Sequence, residues 1–136
     1  MVTITARYEG DLLTTAFHAP SDSQLQTDAP VDNEGQGRFF SPTDLVGTAM
    51  ATCILTIMGV VARRHDIDLT GTTAHVDKHM NNDPRRIGRL PVVIKVPLDL
   101  EPRQRETLEA AARGCPVHRS LHPDIDAPIT FEWGAA

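Results

Sequence analysis

Apolar and polar side chains alternate from Val2 to Tyr8 (VTITARY), which predicts a β-strand. Glu9-Gly10-Asp11 reads as a turn, and Leu12 to His18 as the hairpin partner. Ser23 to Thr27 predicts a third strand. Residues 28–41 are crowded with Asp, Asn, Gly and Pro and predict a loop that is long for a small domain. The pattern then changes. From Leu45 to Ala62 no residue carries a charge. Ser41-Pro42-Thr43-Asp44 before it has the form of a helix start: a Ser cap, Pro in the first helical position and an acid at the third. One helix is therefore predicted from Pro42 to about His65.

Two strands are predicted next, near Leu69–Met80 and Arg86–Pro97, with Asn81-Asn82-Asp83-Pro84 as the turn. A second helix is predicted from Pro102 to Arg113, its apolar side carrying Leu108, Ala111 and Ala112, with Gly114 as its stop. Cys115-Pro116 opens a short helical segment to about Leu121, and Ile129–Trp133 closes the chain as a strand. The order βββ-α-ββ-α-β describes an α+β fold, helices against an antiparallel sheet, in one domain over residues 1–136.

The uncharged run sits at the lower edge of membrane-spanning length. Its three threonines and two glycines, and the lack of flanking aromatic residues, favour a buried core helix. In so short a chain, burial on nearly all sides requires a second subunit.

Charge narrows the function. The net charge of -5 and the scattered basic residues exclude a typical nucleic-acid binder, and six aromatic side chains are too few for a base-stacking platform. Met1 to Gly10 lacks a basic region followed by an apolar run, so a cytosolic location is expected. In a reducing compartment Cys53 and Cys115 are buried free thiols or a redox pair rather than a permanent staple. Cys53 lies inside the apolar helix, where the bland reading is a small core hydrophobe. Cys115 precedes a helical start, where partial positive charge favours a thiolate, and His118 can add to it. The bland alternative there is a packed thiol.

His75/His79 and His118/His122 are spaced by four. The first pair falls in a predicted strand, where that spacing is about 13 Å, and Pro123 follows the second. Surface or hydrogen-bonded histidines are the simpler reading, and no metal or cofactor is expected. Arg38, Arg7, Arg85, Arg86 and Arg119 are candidate cations for a thiolate, each more simply read as a surface residue.

SPTDLVGTAMATC, then TIMG, DPRRI and CPVHRSLHP resemble the OsmC-like proteins, the family of OsmC and the organic hydroperoxide resistance proteins, from about Tyr8 to Trp133. The resemblance implies an intertwined α+β homodimer in which the cysteine helix is buried centrally. It implies a peroxidase: Cys53 attacks an organic hydroperoxide and becomes a sulfenic acid, Cys115 resolves this to a disulfide, and a dihydrolipoyl or other thiol restores both. In that family an arginine holds the thiolate, and a glutamate directly after the helix-starting proline orients the arginine. Here that position is Thr43 and the acid is Asp44; Arg38 is the first choice for the arginine and Arg7 the second. Two other readings stay open: a non-catalytic dimer of the same fold binding an apolar small molecule, and Cys/His hydrolytic chemistry through Cys115 and His118. The latter lacks an oxyanion-hole motif.

Overall fold

β1 (Ile4–Gly10), β2 (Leu13–His18) and β3 (Ser23–Thr27) form an antiparallel sheet in the order β1-β2-β3. Asp11 and Leu12 turn the chain with φ of 53° and 63°, the left-handed pair that a two-residue hairpin turn demands. The register sets Ala6 opposite Ala16 and Ala16 opposite Leu25, with Ile4 and Tyr8 on the same face. That face is open: Ile4, Tyr8 and Leu25 are all exposed, and a hollow of about 310 Å³ lies against Ile4, Ala16 and Leu25. The computed structural model describes residues 1–134. These fall into two compact units, Met1–Val46 and the chain from Gly47 onward.

In the first unit the long loop holds one 3-10 turn, Val31–Asn33. Gly35 lies so close to the Ala29 carbonyl that a Cβ would sit 1.7 Å from its oxygen, so only glycine fits.

The predicted helix is present as α1 (Pro42–Arg64). Its cap is reciprocal: the Ser41 N–H donates to Asp44 Oδ2 at 2.9 Å, and the Asp44 N–H donates to Ser41 Oγ at 3.1 Å. Gly47, Met50, Ile54, Met58 and Ala62 are buried, at the three-and-four spacing of a single helix stripe. Ala49, Thr52, Thr56 and Val60 on the other side are exposed. Within this chain the cysteine helix is thus buried along one side only. Among the described residues it is the one helix long and apolar enough to cross a membrane.

The second unit departs from the sequence reading in its strands. The stretch expected as one strand at Leu69–Met80 divides into β4 (Thr73–Val76) and β5 (His79–Asn81), and the next into β6 (Arg86–Arg89) and β7 (Val92–Val96). β5 and β6 pair by themselves, while β4 pairs with β7. The Asp77 N–H leaves the ladder to bond the Pro91 carbonyl, and Pro91 cannot donate. α2 (Pro102–Arg113), α3 (Pro116–Ser120) and β8 (Ile129–Trp133) stand where expected. The all-antiparallel sheet needs one correction: β8 joins β7 in parallel, Ile94 opposite Phe131. The connection through α2 and α3 has the length a parallel crossover needs.

The core of this unit is Met50, Ile54, Met58, Leu90, Ile94, Val96, Leu108 and Ala112, all without exposure. α2 docks on β8 through aromatic contacts. Trp133 Nε1 donates to Glu109 at 3.0 Å, Phe131 and Trp133 stack at 6.0 Å, and the guanidinium groups of Arg105 and Arg113 lie over the two rings.

A Cβ built on Gly47 would meet Val76 and Leu90 at 3.6 and 3.7 Å, ordinary contact distances. Gly47→Ala is expected to raise stability by up to about 1 kcal/mol through helix propensity. Gly47→Leu is expected to lower it by about 1–3 kcal/mol through overpacking. Chemical denaturation of the two variants measures both.

Candidate functional site: a cysteine pair

α1 carries Cys53 at mid-length, half-buried, while Cys115 caps α3 and is completely buried. Pro116 fixes the first turn of α3, and the turn brings the His118 N–H to 3.4 Å from Cys115 Sγ. Both thiols are free, and the two side chains lie close enough to influence each other. Two cysteines sixty-two positions apart are thus neighbours, each fixed by a helix.

The local environments differ from the sequence reading. The helix start at Cys115 was expected to favour its thiolate. Burial instead pushes the Cys115 thiol above its ordinary value, and the hydrogen bond to Cys53 adds to this; the His118 and Val117 N–H groups only partly offset them. The physical reason is desolvation: five residues of helix supply too little dipole to replace water around a charge. Cys115 is accordingly the thiol whose surroundings disfavour a charge.

Arg38, the first candidate cation, lies in the first unit and is held by two aspartates. Its backbone N–H and Nε donate to Asp28 Oδ2 at 3.0 and 2.8 Å, and Nη2 to Asp28 Oδ1 at 3.3 Å. Nη1 and Nη2 also reach Asp11, at its carboxylate (3.2 Å) and its carbonyl (3.0 Å). Sequence reasoning missed Asp28. Its signal was faint: an acid and a base at opposite ends of one long loop. The carboxylate of Asp28 is fully buried, and the Arg38 hydrogen bonds hold it down at about 2.

This pair makes stability depend on acid. A carboxylate depressed in the folded state adds stability above its ordinary value near 3.8, and that contribution fades as the pH falls through about 2. The acid limb of the pH–stability curve should therefore be steeper in the wild type than in Asp28→Asn, measured by denaturant unfolding between pH 5 and 2.

Asp44 is engaged by the cap of α1, as described, so the carboxylate seen orienting Arg38 is Asp28. Arg7 makes an exposed pair with Glu9 at 2.8 Å. Arg86 lies 3.9 Å from Asp124. His75 pairs with Asp77, and His118 Nε2 donates to the Ala127 carbonyl at 2.9 Å. His122 Nδ1, beyond the end of α3, accepts from the Asp124 N–H. Among the described residues no three His, Cys, Asp or Glu side chains converge as metal ligands.

The OsmC-like protein family matches residues 35–130, and the chain belongs to that family. The crystal structure of a Psychrobacter arcticus 273-4 protein, provisionally described as an osmotic stress induced and detoxification response protein, is 44% identical and superposes with a TM-score of 0.92. The match covers 97% of this chain and 96% of that one. An organic hydroperoxide resistance protein from Legionella pneumophila shares the fold at 16% identity and a TM-score of 0.77, over 97% and 96% of the two chains. The organic hydroperoxide resistance protein OhrB of Bacillus subtilis shares it at 18% identity and 0.68, over 97% and 98%. No match was found among curated proteins.

Proposed function

We propose that this chain is a cysteine peroxidase that reduces organic hydroperoxides in the cytosol. One observation carries the reading: a half-buried Cys53 on a core helix, with the fully buried Cys115 thiol beside it. The Cys53 thiolate attacks the distal oxygen of ROOH, the O–O bond breaks, and ROH leaves with a proton. Cys115 then attacks the sulfenic acid, water departs and a disulfide forms. A dithiol of the dihydrolipoyl class returns two electrons. Membership in the OsmC-like family, with organic hydroperoxide resistance proteins among the chains of the same fold, supports the assignment. Arg38 is proposed as the cation of this chemistry and Asp28 as the carboxylate orienting it, with Asp44 as helix cap.

The working form is proposed to be a homodimer. Two features support it: the open apolar face of the first sheet, and the side of α1 bearing Thr52, Thr56 and Val60. A second copy would cover an apolar helix that otherwise meets water. Sedimentation should give twice the chain mass of 14.9 kDa. Loss of cumene hydroperoxide in the presence of dihydrolipoamide tests the activity, and turnover no faster than with dihydrolipoamide alone ends the reading.

A second reading rests on the aspartates that engage Arg38. With that cation unavailable, the fold would be a non-catalytic dimer binding an apolar small molecule. Alkylation of Cys53 as a function of pH separates the two. A thiol titrating at the ordinary value of about 8.5 favours binding, and one well below 7 excludes it.

A further inference from the structure

A Cys53–Cys115 disulfide would offer an incoming thiol two very unequal sulfurs. Cys53 is half-buried on α1. Cys115 has no exposed surface, and its sulfur is already held at 3.4 Å by the His118 N–H. Thiol–disulfide exchange depends on which sulfur can be reached and on how well the other leaves with the electron pair. At this pair access favours attack at Cys53, and the His118 N–H eases departure of the Cys115 sulfur against its burial. The accessible sulfur is Cys53, and the sulfur with a fixed hydrogen-bond donor beside it is Cys115. Burial works against a thiolate at Cys115, and the His118 N–H offsets part of that cost where no water reaches.

Resting on the peroxidase reading, we propose that the reductant attacks Cys53 and never Cys115, and that the His118 backbone N–H receives the departing Cys115 thiolate. The reductant thiolate attacks Cys53 Sγ, the S–S bond breaks, and the electron pair leaves on Cys115 Sγ. The second thiol of the dithiol then attacks the reductant's own sulfur in the mixed disulfide. This expels the Cys53 thiolate and closes a cyclic disulfide. The protein gains two electrons, the dithiol loses two, and its two protons neutralise the cysteines. Cys53 is thus the reactive sulfur in both halves of the cycle, and Cys115 needs no opening to solvent. His118 is a positioning residue here, through its main chain.

The test is separable from peroxidase activity. The wild-type chain is oxidised with diamide, which closes a disulfide without peroxide. It is then mixed with glutathione, quenched in acid at the earliest times and mapped by peptide mass spectrometry. Glutathione is expected on Cys53. Adducts mainly on Cys115, or shared evenly, overturn the proposal, as does failure of diamide to close the bond. Failure of cumene hydroperoxide to close a bond that diamide closes would count against the peroxidase reading alone. His118→Pro removes the N–H donor, and His118→Ala keeps it. Dithiol reduction of the diamide-oxidised protein should slow on the order of tenfold in the first and stay near wild type in the second. Equal rates in both, or a misfolded His118→Pro beside an unaltered adduct map, confine the proposal to the choice of Cys53. An altered map overturns it.

Discussion

Cys53→Ser is expected to abolish hydroperoxide turnover, lowering the rate by on the order of 10³-fold or more, because a serine hydroxyl cannot form the sulfenic acid on which each later step depends. Cys115→Ser behaves differently. It still consumes one equivalent of cumene hydroperoxide, and the Cys53 sulfenic acid then persists long enough for capture by dimedone. The contrast follows from the geometry. Cys53 is half-exposed, whereas Cys115 is fully buried and reaches the reaction only through the sulfur beside it. Cys115→Ser keeps a small polar group where the thiol stood and leaves Cys53 in place, so the first step is expected to survive. Stopped-flow consumption of peroxide by both variants decides the matter. A Cys53→Ser protein with wild-type turnover would remove this site from the chemistry.

The second large effect concerns the helix that carries Cys53. Ile54 has no exposed surface and lies on the buried stripe of α1 with Met50 and Met58. Ile54→Ala is expected to cost about 2–5 kcal/mol, the range for emptying a closed core site. The melting temperature should fall by roughly 8–20 °C. Val60→Asp probes the opposite face, where the side chain is 41% exposed. In an isolated chain that substitution would be nearly neutral. Beneath a second copy it buries an unpaired charge, and the protein is expected to sediment at half the wild-type mass. A calorimetric scan reads the first variant and analytical ultracentrifugation the second. An unchanged mass for Val60→Asp would count against this face of α1 as the contact of the proposed dimer.

Local chemistry made much of this architecture legible. Ser41, Pro42 and Asp44 announce the start of α1 because a cap is a three-residue device. The first three strands and α2 follow from periodicity and turn residues in the same way. Longer-range pairings were less visible. No signal near Ile129 says that β8 will lie parallel to β7, since that choice depends on where α2 returns the chain. The break between Val76 and His79 depends on a bond from Asp77 to a carbonyl fourteen residues on. The site divides along the same line. Both cysteines could be picked out, and the resemblance paired them. Asp28 could not be picked out, because its role arises only when the loop folds Arg38 back onto it. Cys115 was misjudged as the better thiolate because sequence displays a helix start and conceals the loss of water around it.

The docking of α2 on β8 gives the protein a built-in optical probe. Trp133 is the single tryptophan, bonded to Glu109 and stacked on Phe131, and Tyr8 is the single tyrosine, exposed on the other unit. Emission excited at the indole edge therefore follows the half of the molecule containing both cysteines. Tyrosine absorbance follows the half containing Arg38 and Asp28. Recording both during one denaturant titration shows whether the halves come apart in a single cooperative step or in sequence. No label is needed, and the thiols are left untouched.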